Sequence, residues 1–235
     1  MCTLSYIPIS DQNFIFTTNR DEDPRRIALG PHKYNHNGVE LSYPKDSKAN
    51  GSWIISNSID TTLCLLNGAF ERHKRRTDYR QSRGLMLIDF FQFSSLKNFI
   101  NNYQFEGIEA FTLVIIENKS GTELTELVWD EEKLHVTKLK SNKAYFWSST
   151  TLYTREMKVE REQWFWNWLN KATDLDQNSV LKFHKSGGSG NMEYGLFMNR
   201  RNLVRTVSIT QIIGSEKGHV MEYYNLLDEE PCKTR

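Results

Sequence analysis

Four short runs in the first third of the chain alternate apolar and polar positions: Thr3 to Ile9, Asn13 to Asn19, Ser52 to Asn57 and Thr61 to Asn67. Each is bounded by Gly, Asn, Asp or Pro, and each predicts a strand. The links at Asp11-Gln12-Asn13 and at Asp60 are the length of antiparallel hairpin turns, whereas parallel neighbours need a long crossover. The period then changes. Leu85, Ile88 and Phe91, followed after Ser94-Ser95 by Leu96, Phe99 and Ile100, recur at three- and four-residue intervals and predict a helical stretch from Ser82 to Asn101, with Ser82 and Ser94 or Ser95 as N-caps. Strands return at Phe111 to Glu117, Glu123 to Trp129, Lys133 to Lys140 and Tyr145 to Ser149. A second helical region runs from Thr154 to Ala172 and, after a break at Asp174, to about Lys185. The glycine-rich segment Ser186 to Asn191 predicts a loop, and Tyr194 to Asn199, Arg205 to Ile213 and His219 to Leu227 predict closing strands. This order excludes a doubly wound sheet and predicts an α+β layering of antiparallel sheets covered by helices.

Composition narrows the function. A chain of 235 residues with 38% hydrophobic and 12% aromatic positions forms a packed core, expected here as a single domain over residues 1–235. Thirty Lys plus Arg against twenty-nine Asp plus Glu gives a formal charge of +1, which argues against a dedicated nucleic-acid binder. No apolar run approaches the length of a transmembrane helix, and the N-terminus lacks the features of a signal peptide, so a cytoplasmic protein is expected. Cys2, Cys64 and Cys232 are too scattered for a disulfide framework. No histidine or cysteine spacing predicts a metal site, and no cofactor is expected. His32 and His36 fall in a Pro/Gly/Asn-rich stretch expected to be a surface loop.

The chemistry begins at Cys2. A small side chain at position 2 permits trimming of Met1, which would place a thiol and an α-amine on one residue. The α-amine ordinarily titrates at about 7.7 to 8.0 and the thiol at about 8.5, so the amine can take the thiol proton and later return it to a leaving group without a histidine. Asn19-Arg20-Asp21-Glu22 ends the second strand, which a hairpin lays beside the first. Arg20 there would supply a positive charge that favours thiolate, and Asp21 an acceptor for the α-ammonium.

With Met1-Cys2-Thr3 at its start and Thr18-Asn19-Arg20-Asp21-Glu22 after it, the sequence resembles the NRDE family, which includes transport and Golgi organisation protein 2. Asn50-Gly51-Ser52-Trp53, Leu66-Asn67, Ser82-Arg83-Gly84-Leu85 and Met157-Lys158-Val159 resemble further family segments in the family's order. The resemblance implies a four-layer αββα sandwich of the N-terminal-nucleophile hydrolase type. It is also similar, more distantly, to the cholylglycine hydrolases, which likewise begin Met-Cys-Thr but space their Arg and Asp by two residues. The implied catalytic set is Cys2 as nucleophile and base, with Arg20, Asp21 and Asn67, the last as oxyanion donor. The implied substrate side is Asn19, Glu22, Trp53, Ser149 and Arg83. Two departures bear on the pocket. Ser148-Ser149 stands where the family often has Ser-Asn, and Phe197-Met198-Asn199-Arg200 stands where many members have Tyr-Gly-Thr-Arg.

Arg72, Lys74, Arg75, Arg76, Arg80 and Arg83 crowd the segment after Asn67, a composition suited to an anionic ligand such as a phosphate, a carboxylate or a coenzyme A head group. Trp164, Phe165 and Trp168 suit core packing of one helix, with Trp166 off their faces. The functional expectation is a hydrolase of linear amide bonds working through a thioester on the N-terminal cysteine. The alternative is a non-catalytic carrier of a small molecule, haem, acyl-CoA or lipid-like, in the same pocket.

Overall fold

The computed structural model describes residues 3–229. Its elements are β1 (Thr3–Pro8), β2 (Phe14–Glu22), β3 (Ala28–His36), β4 (Val39–Asp46), β5 (Ile54–Ser56), β6 (Thr61–Asn67), α1 (Arg83–Phe90) and α2 (Leu96–Asn102). They continue with β7 (Phe111–Glu117), β8 (Glu123–Trp129), β9 (Leu134–Leu139), β10 (Tyr145–Ser148), α3 (Arg155–Leu169), α4 (Gln177–Ser186), β11 (Asn199–Arg200), β12 (Val204–Ser215) and β13 (Gly218–Asn225).

Two antiparallel sheets result. One runs β10-β1-β2-β12-β11, with β13 also paired to β12; the other runs β3-β4-β5-β6-β7-β8-β9. Successive side chains on a strand point to opposite faces, and β1 and β2 use both. Leu4, Tyr6, Phe14 and Phe16 face the second sheet and meet Ile54, Cys64, Leu66 and Val114. Ile7 and Ile15 face the other way, toward Phe165 of α3 and Val180 and Phe183 of α4. The outer face of the second sheet buries Leu63, Leu113 and Leu127 against Met86, Leu87 and Phe99 of α1 and α2. The order of layers is therefore helices, sheet, sheet, helices, the expected αββα sandwich. Among the described residues, no helix is long and apolar enough to cross a membrane.

The structure departs from the sequence expectations at three places. The stretch containing His32 and His36 is the hairpin β3–β4 rather than a loop. Asn37 and Gly38 take positive φ (54° and 88°), the backbone of a tight Asn-Gly hairpin turn, and Pro31 falls where the β3–β4 register shifts. The helical stretch from 82 to 101 is two helices, broken before Ser95, whose hydroxyl caps α2 by accepting from the Asn98 amide. Tyr194 to Asn199 buries Leu196 and Met198 without joining a sheet until Asn199, because its amides bond locally, Gly195 to the Asn191 carbonyl and Leu196 to that of Gly187. Trp166 is 40% exposed, whereas Trp168 stacks on Phe183 with ring centroids 4.5 Å apart.

The helix-facing side of β1 and β2 also carries polar residues. Asn19 Nδ2 donates to the carbonyls of His184 (3.0 Å) and Leu196 (2.6 Å), which leaves Asn19 Oδ1 to accept from His184 Nδ1. His184 Nε2 then accepts from the Ser5 hydroxyl at 2.7 Å. This network assigns a neutral imidazole with both nitrogens satisfied. Burial, with the nearby Arg161 guanidinium, pushes His184 down to about 3, and burial pushes His219 down to about 4. A histidine whose folded value lies below its unfolded one contributes stability that is complete above about pH 6.5 and is lost as pH falls toward the folded value. Between pH 7 and pH 4.5 the protein should lose roughly 2 kcal/mol or more of unfolding free energy in urea titrations. His184→Gln, less stable at pH 7, should lose about half as much over that interval, since His219 still contributes; equal slopes in the two proteins would refute the assignment.

Candidate active site

β2 carries Asn19-Arg20-Asp21-Glu22 without leaving the sheet, so the period-two rule divides the motif. Asn19 and Asp21 turn to the helix side, whereas Arg20 and Glu22 line a cleft of about 840 Å³. The cleft is also lined by Trp53, Asn67, Arg83 and Glu109.

Arg20 is 3% exposed. Its Nη2 donates to Asp46 Oδ2 at 2.8 Å, its Nη1 to the Arg26 carbonyl at 3.0 Å, and its guanidinium carbon lies 4.8 Å from the centre of the Trp53 ring. Asp46, at the end of β4, lies 2.9 Å from Arg26 Nε as well, and its other oxygen accepts from the amides of Lys48 and Ala49. Burial works to raise the Asp46 carboxyl, but the Ala49 amide and the Arg26 and Arg20 charges outweigh it and hold the group below the usual carboxylate range.

Trp53 and Arg83 reach the cleft because two glycines let their segments cross. A Cβ on Gly51 would fall 2.4 Å from the Gly84 carbonyl carbon, and one on Gly84 would fall 2.7 Å from the Ser52 oxygen. The Ser52 amide donates to the Gly84 carbonyl across this contact. Arg83 donates to the Ala110 carbonyl at 2.8 Å and lies 3.1 Å from Glu109 Oε2; burial draws it below the ordinary guanidinium value, with Glu109 opposing. Arg75 and Arg76 line the cleft from the same segment. The lining thus carries Arg20, Arg26, Arg75, Arg76 and Arg83 against Glu22, Asp46 and Glu109, a local excess of positive charge.

Asn67, the last residue of β6, joins this cleft to a smaller recess of about 260 Å³ that Ser149, Trp147 and Lys158 also line. Its carbonyl accepts from the Ser149 hydroxyl at 2.9 Å, and its side-chain amide has no hydrogen-bond partner among the described residues. Ser149 is buried. Asn19 and Asp21 are not in either lining: Asn19 is committed to His184 and Leu196, and Asp21 accepts from the Tyr153 and Thr206 hydroxyls, each at 2.6 Å. Cys2 lies outside the described residues. Thr3 beside it pairs with Asn19 on one side and with Ser148 on the other. Cys64 is fully buried between the sheets, and burial pushes its thiol up to about 12. Among the described residues, no group of three or more His, Cys, Asp or Glu is placed to hold a metal ion.

With this geometry in hand, comparison with known proteins is informative. The family model for Transport and Golgi organisation 2 matches residues 1–187. The chain belongs to that family. No curated protein sequence matches it. Among solved structures it is similar to a Caenorhabditis elegans ortholog of N-acylethanolamine-hydrolyzing acid amidase, with 14% identity, a TM-score of 0.54, and coverage of 94% of this chain and 100% of the other. It is also similar to a variant of the conjugated bile acid hydrolase from Clostridium perfringens, with 10% identity, a TM-score of 0.51, and coverage of 97% and 94%. At such identities the likeness establishes the N-terminal-nucleophile hydrolase fold and not an activity. In this member of the family, β12 lies beyond the matched residues, yet it pairs with β2 from Arg205 opposite Glu22 to Gly214 opposite Phe14 and supplies the Thr206 hydroxyl to Asp21.

Sequence reasoning missed Asp46, Tyr153 and Arg161. Asp46 was legible only through β4, where Val39, Leu41 and Tyr43 alternate with polar residues. Removing one partner of a buried ion pair leaves the other charge uncompensated, which costs about 3 to 5 kcal/mol. Asp46→Asn should therefore destabilise the protein by about 3 kcal/mol in denaturant titration; a loss under about 1 kcal/mol would mean that water or Glu22 takes its place.

Proposed function

We propose that the protein is an N-terminal cysteine hydrolase of linear amide bonds, active once Met1 has been removed. The observation that carries the reading is where the described chain begins. Thr3, the first described residue, is flanked by Asn19 and Ser148, whose next residues along the chain are Arg20 and Ser149. Arg20 lines the cleft with Asn67 and Trp53, and Ser149 lines the adjoining recess. Two structural neighbours are named as hydrolases of amides or conjugates, which supports the direction without fixing the substrate.

In this reading the α-amine of Cys2 takes the thiol proton and the sulfur attacks the amide carbonyl carbon. The carbonyl π pair moves to oxygen, where the free Asn67 amide donates to it; one such donor is worth about 3 kcal/mol. Collapse re-forms the carbonyl and breaks the C–N bond, and the leaving nitrogen takes the proton back from the α-ammonium. Water, deprotonated by the same amine, then cleaves the thioester to the acid and regenerates the thiol. Arg20 favours the thiolate, and Asp21 holds the α-ammonium. Glu22, Trp53 and Arg83 contact substrate from the cleft and Ser149 from the recess. Asn19 acts behind them by fixing His184.

The arginine-lined cleft equally favours the second reading, a carrier that binds an anionic or lipid-like small molecule without turning it over. Two measurements separate the readings. Intact mass should be lower than the full sequence by one methionine residue, and peptide mapping after iodoacetamide at pH 7 should show Cys2 alkylated at least about tenfold faster than the buried Cys64. Retained Met1 with an inert Cys2 would defeat the hydrolase, whereas ligand binding that survives Cys2→Ala would support the carrier.

A further inference from the structure

Arg161, on α3, is the largest wholly buried side chain, at 0% exposure, and no carboxylate lies within ion-pair distance of it among the described residues. Taking a charge out of water costs several kcal/mol unless hydrogen bonds replace the lost hydration. Here the fork supplies them. Nε donates to the Ser148 hydroxyl at 3.0 Å, Nη1 to the carbonyls of Tyr194 and Gly195, and Nη2 to the Thr3 hydroxyl. The guanidinium carbon lies 3.9 Å from the centre of the Tyr153 ring, and that of Arg200 lies 5.5 Å from the same ring. The Tyr153 hydroxyl donates to Asp21 Oδ2 at 2.6 Å.

An apolar side chain of similar volume would pack α3 against the sheet without this desolvation, and such replacements are commonly neutral or stabilising. What an apolar side chain would not do is grip both Thr3 and Ser148, which pair across the first described residues of β1 and the last of β10. We propose that Arg161 and Tyr153 are positioning residues for the N-terminal nucleophile: Arg161 fixes Thr3 and so the backbone carrying residue 2, and Tyr153 fixes the Asp21 carboxylate that holds the α-amine. The proposal rests on the hydrolase reading above. Among the described charged and titratable groups on neighbouring elements, Tyr153, just before α3, donates to Asp21, Arg161 on α3 and Arg200 on β11 lie over the Tyr153 ring, Arg205 on β12 precedes Thr206, His184 on α4 is bound to Asn19, and Arg20 projects from the opposite face of β2. His184, held well below its ordinary value, stays neutral at neutral pH, and the thiol and the α-amine are the groups expected to titrate between about pH 6 and 9.

The test uses the full chain and follows Cys2 alkylation by iodoacetamide against pH in wild type, Tyr153→Phe and Arg161→Lys, with intact mass and circular dichroism on each. Tyr153→Phe removes one donor from Asp21, whose less neutralised charge disfavours the thiolate. The midpoint should rise by about half to one pH unit, and alkylation at pH 7 should slow about three- to tenfold. Arg161→Lys keeps the charge and loses the fork, so the rate above the midpoint should fall while the midpoint stays near that of wild type. Should Arg161→Lys fail to fold, Tyr153→Phe decides alone. Folded variants with wild-type rates and midpoints would overturn the positioning role and leave the hydrolase reading standing. A wild type that keeps Met1, or whose Cys2 is inert, would remove both.

Discussion

A guanidinium held at 3% exposure has to be neutralised and hydrogen-bonded where it stands, and at Arg20 that requirement organises the ground around the cleft. Asp46 neutralises it, and Asp46 is itself kept ionised by the Lys48 and Ala49 amides and by Arg26. The ion pair therefore ties β2 of one sheet to β4 of the other at the open end of the sandwich. Trp53 covers the guanidinium face, and the close crossing of Gly51 and Gly84 holds Trp53 at the height where it can do so. Stability and site geometry are here the same set of contacts: to loosen the pair is to reshape the cleft.

The two faces of β2 divide the labour. On the cleft side the strand offers charge, with Arg20 and Glu22 in the cleft lining. On the helix side it offers paired hydrogen bonding, with Asn19 locked to His184 and the Asp21 carboxylate to Tyr153 and Thr206. A network so paired has one low-energy arrangement, which suits a layer whose task is to hold the other face still.

Much of this was legible in the sequence. The runs at 61–67, 111–117 and 123–129 fold over the same residues as strands, because apolar and β-branched side chains filling both sides of a sandwich leave little ambiguity of type or extent. The helix cap at Ser95 follows from local hydrogen bonding that needs no tertiary context, whereas Ser82, also expected as a cap, makes no side-chain cap hydrogen bond. What escaped was of two kinds. β3 and β4 were hidden by Pro31 and by the polar composition of an exposed hairpin, although Asn37-Gly38 is its turn. The partners of the N-terminal motif were hidden by distance along the chain: Asp46, Tyr153 and Thr206 become neighbours of Arg20 and Asp21 only after both sheets have formed. Alternation within β2, by contrast, was available from the start, and it already implied that four consecutive polar residues could not all face one pocket.

The family match ends at residue 187, but the sheet does not. β12 covers one whole flank of β2, so the backbone amides and carbonyls on that flank of the nine-residue strand are satisfied from outside the matched region, while β1 pairs the other flank. A chain ending near residue 187 would carry every residue of the N-terminal motif and yet present β2 as a bare sheet margin. Unpaired margins of that length recruit other strands, and self-association, rather than a smaller working protein, is the physical consequence of stopping there.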